Sequence, residues 1–352
     1  MATIMEIRKF SSIKLDDVFF DSLKNDYPGF EDWFNRKAKA GKVAFVQYDD
    51  EGKLQGFLFL KDETAEVDEH ITPLMEPKKR LKVGTFKIEA HNTRLGEKFI
   101  KKIMDCAIYG SFDEAYVTIF PKHEGLIRLL KKYGFENFGK KGDEIVLVKD
   151  FTVFKDDIYL DYPMIKTKDS RKYLLSIRPK YHTPLFSDSI LKTEERKSAE
   201  LIKDVSYSNS IHKIYVCTMP DTSELHSGDL VAIYRTSDIP GRARFRSVVT
   251  SICVVEEVKY KSDFTDINDF LEYVKSYCIL STEELVKLFQ NECLVVIKMT
   301  YNVALSKRVT RGMLLDNANM SSNTYWGFMQ LIDAQFDYIL KEGKVNENFI
   351  VD

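Results

Sequence analysis

The segment from Leu81 to Lys98 has the strongest chemical signature in this sequence. It reads LKVGTFKI, an apolar and β-branched run, then the polar EAHNTRLG, then the start of a helix-like stretch, EKFIKKIMDCAIYG. A strand that passes through a tight loop into a helix turns backbone N–H groups toward an anion, and the helix dipole adds to their pull. Gly96 at the helix entry lets such an anion approach the backbone closely. Asn92, Thr93, Arg94 and Lys98 supply further donors. The chemistry this suits is binding of a phosphate, and of a pyrophosphate in particular. The loop is neither a GxxxxGK[ST] phosphate loop nor a GxGxxG dinucleotide fingerprint, and one glycine at a helix start is also common without any ligand.

A second group of residues is basic. Arg178 and Lys180, then Arg242, Arg244 and Arg246, then Lys307, Arg308 and Arg311 recur through the second half. On a strand, the alternation of Arg242, Arg244 and Arg246 sets all three on one face and turns Phe245 into the core. With Tyr181, Phe186 and Tyr301 as stacking surfaces, that face suits RNA or a single strand. The plainer reading is a solvated strand face balanced by carboxylates.

These residues need elements to hold them. Lys42–Tyr48 and Leu54–Leu60 flank the turn Asp49–Lys53 and predict a hairpin. Leu15–Ala40 is helical in character, broken at Pro28-Gly29, with Trp33 and Phe34 turned inward. Phe99, Ile100, Ile103, Met104, Ala107 and Ile108 recur at helical spacing up to Gly110. Ala115–Phe120 is a strand, Glu124–Tyr133 a helix ended by Gly134, and two strands follow. This order is an α/β layer on a mixed sheet. A polar stretch at 151–170 marks a boundary. Beyond it, strands are expected at Tyr173–Ile177, Ile214–Cys217, Leu230–Tyr234, Phe245–Glu256 and Cys293–Met299. Helices are expected at Asp266–Val274, Thr282–Gln290 and Tyr325–Leu340. The shape is a small β-barrel with inserted helices.

Bulk composition narrows the function classes. A chain of 352 residues suggests two domains, expected at 1–150 and 170–352. Net charge is −2, so any polyanion surface is a local patch rather than a global excess. The five cysteines include no CxxC pair, so no metal site is expected, and their scatter fits a reducing compartment. No secretory leader and no run long enough to span a membrane are read, so a cytoplasmic protein is expected.

Residues 81–138 resemble the core of Gcn5-related N-acetyltransferases. In that family's cofactor loop, (Q/R)xxGx(G/A), His91 falls at the Q/R position, Arg94 at the first Gly and Gly96 at the Gly/Ala. KKYGFENFG, residues 131–139, looks like the family's helix end and following strand, and the hairpin at 42–60 lies in the matching place. The resemblance covers residues 1–150. It implies that the chain binds acetyl-coenzyme A. The pyrophosphate would lie on the N–H groups of Thr93, Arg94, Leu95, Gly96 and Glu97, near His91, Asn92 and Lys98. The pantetheine arm would run along Phe86, Lys87 and Ile88. Family members often carry a tyrosine acid four residues before the helix-ending glycine; here that residue is Leu130. Substitutes are His123 and Tyr133 as acid, with Glu89 as base directly or through water. Each has a plainer reading: Tyr133 as a packing residue, His123 as a helix cap, Glu89 as a solvated carboxylate, His91 as a loop donor.

YLLSIRPKY at 173–181, SGDLVAIYR at 227–235 and SVVTSICVVEEV at 247–258 resemble the ASCH domains, relatives of the PUA fold, over residues 170–350. The family's GxKxxExR segment is replaced by DSILKTEER at 188–196, so no catalytic role carries over. Together the two resemblances imply an acetyl-CoA-dependent N-acetyltransferase for a protein or RNA-linked amine, with the second domain used for recognition. The alternative is a non-catalytic regulator, antitoxin-like or transcriptional, that binds nucleic acid or a protein partner.

Overall fold

A computed structural model describes residues 5–64, 66–89, 92–191 and 204–352. These divide into two compact units. The first covers the chain up to Val153, with Asp204 and Val205; the second covers the described residues from Phe154 to Leu191 and from Ser206 to Asp352.

The first unit is built on one mixed sheet. Its strands are β1 (Glu6–Lys9), β2 (Val43–Tyr48), β3 (Leu54–Asp62), β4 (Ile71–Thr72), β5 (Arg80–Ile88), β6 (Glu114–Ile119), β7 (Glu136–Lys141) and β8 (Glu144–Asp150). They lie in the order β1-β2-β3-β5-β6-β8-β7-β4. The predicted hairpin is β2–β3, closed by Asp49, whose carboxylate accepts from the N–H groups of Glu51 and Lys53. Only β5 and β6 run parallel among the neighbouring pairs, and α3 (Leu95–Tyr109) makes their crossover. The predicted stripe Phe99, Ile100, Ile103, Met104, Ala107 and Ile108 is buried on the sheet. Helices α1 (Asp21–Asp26) and α2 (Phe30–Lys39) meet at the Pro28-Gly29 break, where Gly29 takes φ +86°. Phe10, Phe20, Phe34 and Phe57 pack together there, Phe57 edge-on to Phe10 and Phe20, Phe34 edge-on to Phe20 and tilted against Phe10. The last helix, α4 (Glu124–Lys132), follows β6.

The second unit holds a six-stranded sheet of β10 (Lys172–Ile177), β11 (His212–Cys217), β12 (Leu230–Arg235), β13 (Val248–Tyr260), β14 (Val295–Thr310) and β15 (Phe328–Leu331). Their order is β11-β14-β13-β12-β10-β15. Register shifts along β13 and β14 bend the long ribbon. The sheet rolls until Tyr215 of β11 donates to the Ser176 carbonyl of β10 at 3.4 Å. Tyr173, Ile233, Cys253, Ile297 and Phe328 from five strands pack together in a core on its inner side. A short parallel pair, β9 (Ile165–Lys166) with β16 (Ile350–Val351), completes the unit. The expected helices at 266–274 and 282–290 form as Ile267–Val274 and Thr282–Phe289, the second opened by a capping box of Ser281 and Glu284.

Two expectations are overturned. Phe245–Ser247 is not strand: Ala243–Arg246 is a short helix, and Phe245 is 73% exposed rather than in the core. The predicted helix Tyr325–Leu340 begins instead as β15, because Phe328 pairs with Leu175 on the open edge of β10; helix follows only from Asp333.

Candidate functional site

Strands β5 and β6 pair from Arg80↔Glu114 to Val83↔Val117 and then part. The cause lies in β5. Phe59 of β3 pairs with Thr85 and Leu60 with Val83, so Gly84 is the extra residue of a bulge. A bulge bends its strand and sharpens its twist. Glycine is needed there, since a Cβ would lie 2.9 Å from the Phe59 ring. Beyond the bulge, Thr85–Ile88 diverges from Thr118 and Ile119, and a cavity of about 900 Å³ occupies the opening. Phe86, Lys87 and Ile88, all foreseen, line one wall. The N-terminal end of α4 lines the opposite side, and the α1–α2 segment covers the top.

The helix that starts at the open end is α3. It begins at Leu95, so Gly96 lies in its first turn rather than in the loop, packed where a Cβ would be 2.7 Å from Leu129 and 3.0 Å from Ile88. Arg94, at the place of the first glycine in the family pattern, has φ +56°. That is the left-handed region glycine favours, so the turn keeps the glycine-like backbone with a charged side chain on it. Asn92 is also left-handed, at φ +59°. Thr93 donates to Asp204 at 2.9 Å, and Lys98 donates to Gln47 of β2 at 2.7 Å. Glu97 is buried in the first turn, with Arg94 at 3.3 Å and Lys132 at 3.9 Å. Leu95 is buried. His91 lies outside the described residues.

The acid–base groups at the cavity differ from those expected. His123 lines it, at the entry of α4, and does not cap the helix through its side chain. Its Nε2 is 3.4 Å from the Asp26 carboxylate, which also holds Lys122 at 2.5 Å. Tyr27 and Glu144 line the cavity as well, and the Tyr27 hydroxyl donates to Glu144 at 2.9 Å. Burial, and then the Glu144 charge, push the Tyr27 hydroxyl well above its ordinary pKa, so it stays protonated at neutral pH. Tyr133 is corrected: it is fully buried at the end of α4 and takes no part in the lining. Leu130 is equally buried. Glu89 is 48% exposed beyond the end of β5, 3.4 Å from Lys87, and off the cavity. Sequence reasoning missed Asp26, Tyr27 and Glu144. Nothing local marks a pair separated by 117 positions; only the Pro28-Gly29 break beside Tyr27 hinted that this loop turns over the sheet.

In the second unit the foreseen basic residues scatter. Arg244 pairs with Asp316 at 2.7 Å, Arg246 with Asp238 at 2.6 Å and Lys307 with Glu342 at 2.7 Å. Because 243–246 is a helix, Arg242, Arg244 and Arg246 do not share the face of a strand. Arg308 turns inward, its guanidinium held by the carbonyls of Leu305, Thr250 and Ile190. Lys180 sits 4.2 Å from the Tyr181 ring and 3.4 Å from Glu284. Arg178 and Arg311 instead border two neighbouring cavities. Among the described residues no cluster suited to a metal ion occurs.

No protein-family model matches the sequence, and no curated protein does. Solved structures similar to it include the ASCH protein of Zymomonas mobilis, at 10% identity over 48% of this chain and 94% of that one, TM-score 0.32. They also include the N-acetyltransferase PseH of Campylobacter jejuni in complex with acetyl coenzyme A, at 13% identity over 42% of this chain and 99% of that one, TM-score 0.28. A GNAT-family acetyltransferase of Listeria monocytogenes aligns at 14% identity over 42% of this chain and 94% of that one, TM-score 0.30. These are the two kinds of protein that the sequence resemblances named.

Proposed function

We propose that the first unit is an acetyl-CoA-dependent N-acetyltransferase and that the second recognises its acceptor, a protein or RNA-linked amine. The observation that carries the reading is the cavity opened by the Gly84 bulge, with a free strand edge along one wall and, behind its lining residues Ile88 and Leu129, Gly96 of the first turn of α3. A free edge offers backbone groups to an extended amide-bearing chain. A helix N-terminus approached through left-handed residues offers amides to a pyrophosphate. Acetyl-coenzyme A fits both, and when bound it supplies an activated acetyl group and leaves as a thiol.

The chain's own residues do the proton work. His123, oriented by Asp26, takes a proton from the acceptor amine as its nitrogen becomes acylated. Tyr27, protonated at neutral pH, gives its proton to the leaving sulfur and regains one from solvent, while His123 releases to solvent the proton it took from the amine. This pair stands in for the tyrosine that the Leu130 position lacks. The α1–α2 segment covers the opening and limits water there.

One observation favours the second reading, a non-catalytic regulator. Glu97 puts a buried carboxylate in the first turn of α3, where the phosphates would approach. Calorimetric titration with acetyl-CoA separates the two. Binding followed by turnover of an amine supports the enzyme; binding without turnover supports the regulator; no binding removes both the cofactor and the enzyme.

A further inference from the structure

The cover of the cavity in the first unit carries a cation that the proton chemistry leaves unused. Phe30, Trp33 and Arg36 of α2 all line the cavity. Their spacing of three sets them along one face of the helix, apolar first and charged last. Trp33 packs on the Phe59 ring with centroids 5.7 Å apart, and Phe59 is the residue that lies against Gly84. This face of α2 therefore lies at the bulge. Arg36 follows Trp33 one turn later and is exposed.

The other charges of the lining are mostly engaged. Asp26 is held by Lys122 and His123, and Glu144 accepts from Tyr27. Lys87 donates to Ser22 at 2.8 Å and to the Phe19 carbonyl. Two lining cations, Arg36 and Arg128, form no ion pair among the described residues, and they belong to different ends. Arg128 adjoins Leu129, which packs on Gly96 of α3, the end proposed for the phosphates of the cofactor. Glu124 also lines the cavity, one turn before Arg128 on α4. Arg36 is at the Gly84 end, and Asp32, one turn before it on α2, lies off the lining. A volume of about 900 Å³ has room for an acceptor beside the cofactor's arm. A guanidinium open to that space selects a carboxylate or a phosphate, which its fork of donors grips at two oxygens.

We propose that Arg36 selects an acceptor whose amine stands beside an anion, a carboxylate or a phosphate on the same small moiety. The nitrogen lies at His123 and the anion at Arg36, with the apolar face of α2 between them. The inference rests on the reading of this cavity as an acetyl-transfer site and names the chemistry of the acceptor. It holds for a free compound and for one carried on a larger molecule. It excludes a plain lysine side chain, whose amine has no anion beside it.

The test is isothermal calorimetry of the full chain saturated with coenzyme A. The titrants are glycine, β-alanine, γ-aminobutyrate and aminoethyl phosphate, each against the amine that lacks its anion: methylamine, ethylamine, propylamine and ethanolamine. Anionic members are expected to bind and neutral ones not, and the stronger of the carboxylates and the phosphate identifies the anion. Arg36→Gln is expected to weaken that binding about tenfold, and Arg36→Lys less. Lys39→Gln, which removes the same charge from α2 off the cavity, is expected to change nothing. Arg36 is exposed, so its loss spares the fold; a thermal melt checks this. Equal binding of charged and neutral members, equal binding by wild type and Arg36→Gln, or no binding of any anionic member would overturn the proposal. A normal acetyl-CoA titration with turnover of a neutral amine would then leave the enzyme reading standing, and a flat acetyl-CoA titration would remove both.

Discussion

His123 and Tyr27 show how a site is made from residues that have no common motif. Asp26 orients one and Glu144 holds the other, and both face one cavity. His123→Ala is expected to lower kcat/KM by about 100-fold with little change in stability, because a positioned acid or base contributes about that much or more. Tyr27→Phe should lower kcat while leaving acetyl-CoA binding intact; steady-state kinetics beside calorimetry separates the two effects. A third residue bears on stability instead. His182 is fully buried, and burial, with Arg235 and Arg308 nearby, holds its pKa well below the ordinary value. The folded state thus prefers the neutral ring. The unfolded chain takes up the proton first as pH falls, so stability present above about pH 6.5 drains away below it. The midpoint of the second unit should fall between pH 7 and pH 5, and His182→Phe should flatten that slope in a pH series of thermal melts.

Elements carry most of what could be read from the sequence. The β2–β3 hairpin and the buried stripe of α3 follow from period-two and period-3.6 patterns that local sequence states directly. A lone glycine inside an apolar strand can mark a bulge, but Leu81–Ile88 was read as an unbroken strand and the bulge at Gly84 was missed. Its consequence, the opening against β6, depends on pairings between β3, β5 and β6 that no local pattern states. Arg242, Arg244 and Arg246 were misread because i, i+2 alternation also occurs in a short helix, and the carboxylates that settle the matter, Asp238 and Asp316, lie elsewhere in the chain. Tyr325–Leu331 was misread as helix because an unpaired edge of β10, invisible in the segment itself, takes Phe328–Leu331 as a strand. The element-scale prediction concerns the bulge. Gly84→Val drives a side chain into Phe59 and should cost roughly 1–3 kcal/mol, read as a lower denaturation midpoint, with loss of acetyl-CoA binding as β5 shifts.

For the molecule as a whole, a net charge of −2 means that the bulk chain does not attract RNA. The central claim concerns the first unit: that its cavity receives acetyl-CoA. Gly125 tests it cleanly. It lines the cavity in the first turn of α4, and a Cβ there meets nothing within 4 Å, so a large side chain fills the space without disturbing the core. The measurement is a thermal-shift titration with acetyl-CoA on the wild type and on Gly125→Trp. A ligand that binds only the folded state raises the midpoint as its concentration rises. The account predicts a rise in the wild type that Gly125→Trp lacks; no rise in the wild type, or an equal rise in both, would contradict it.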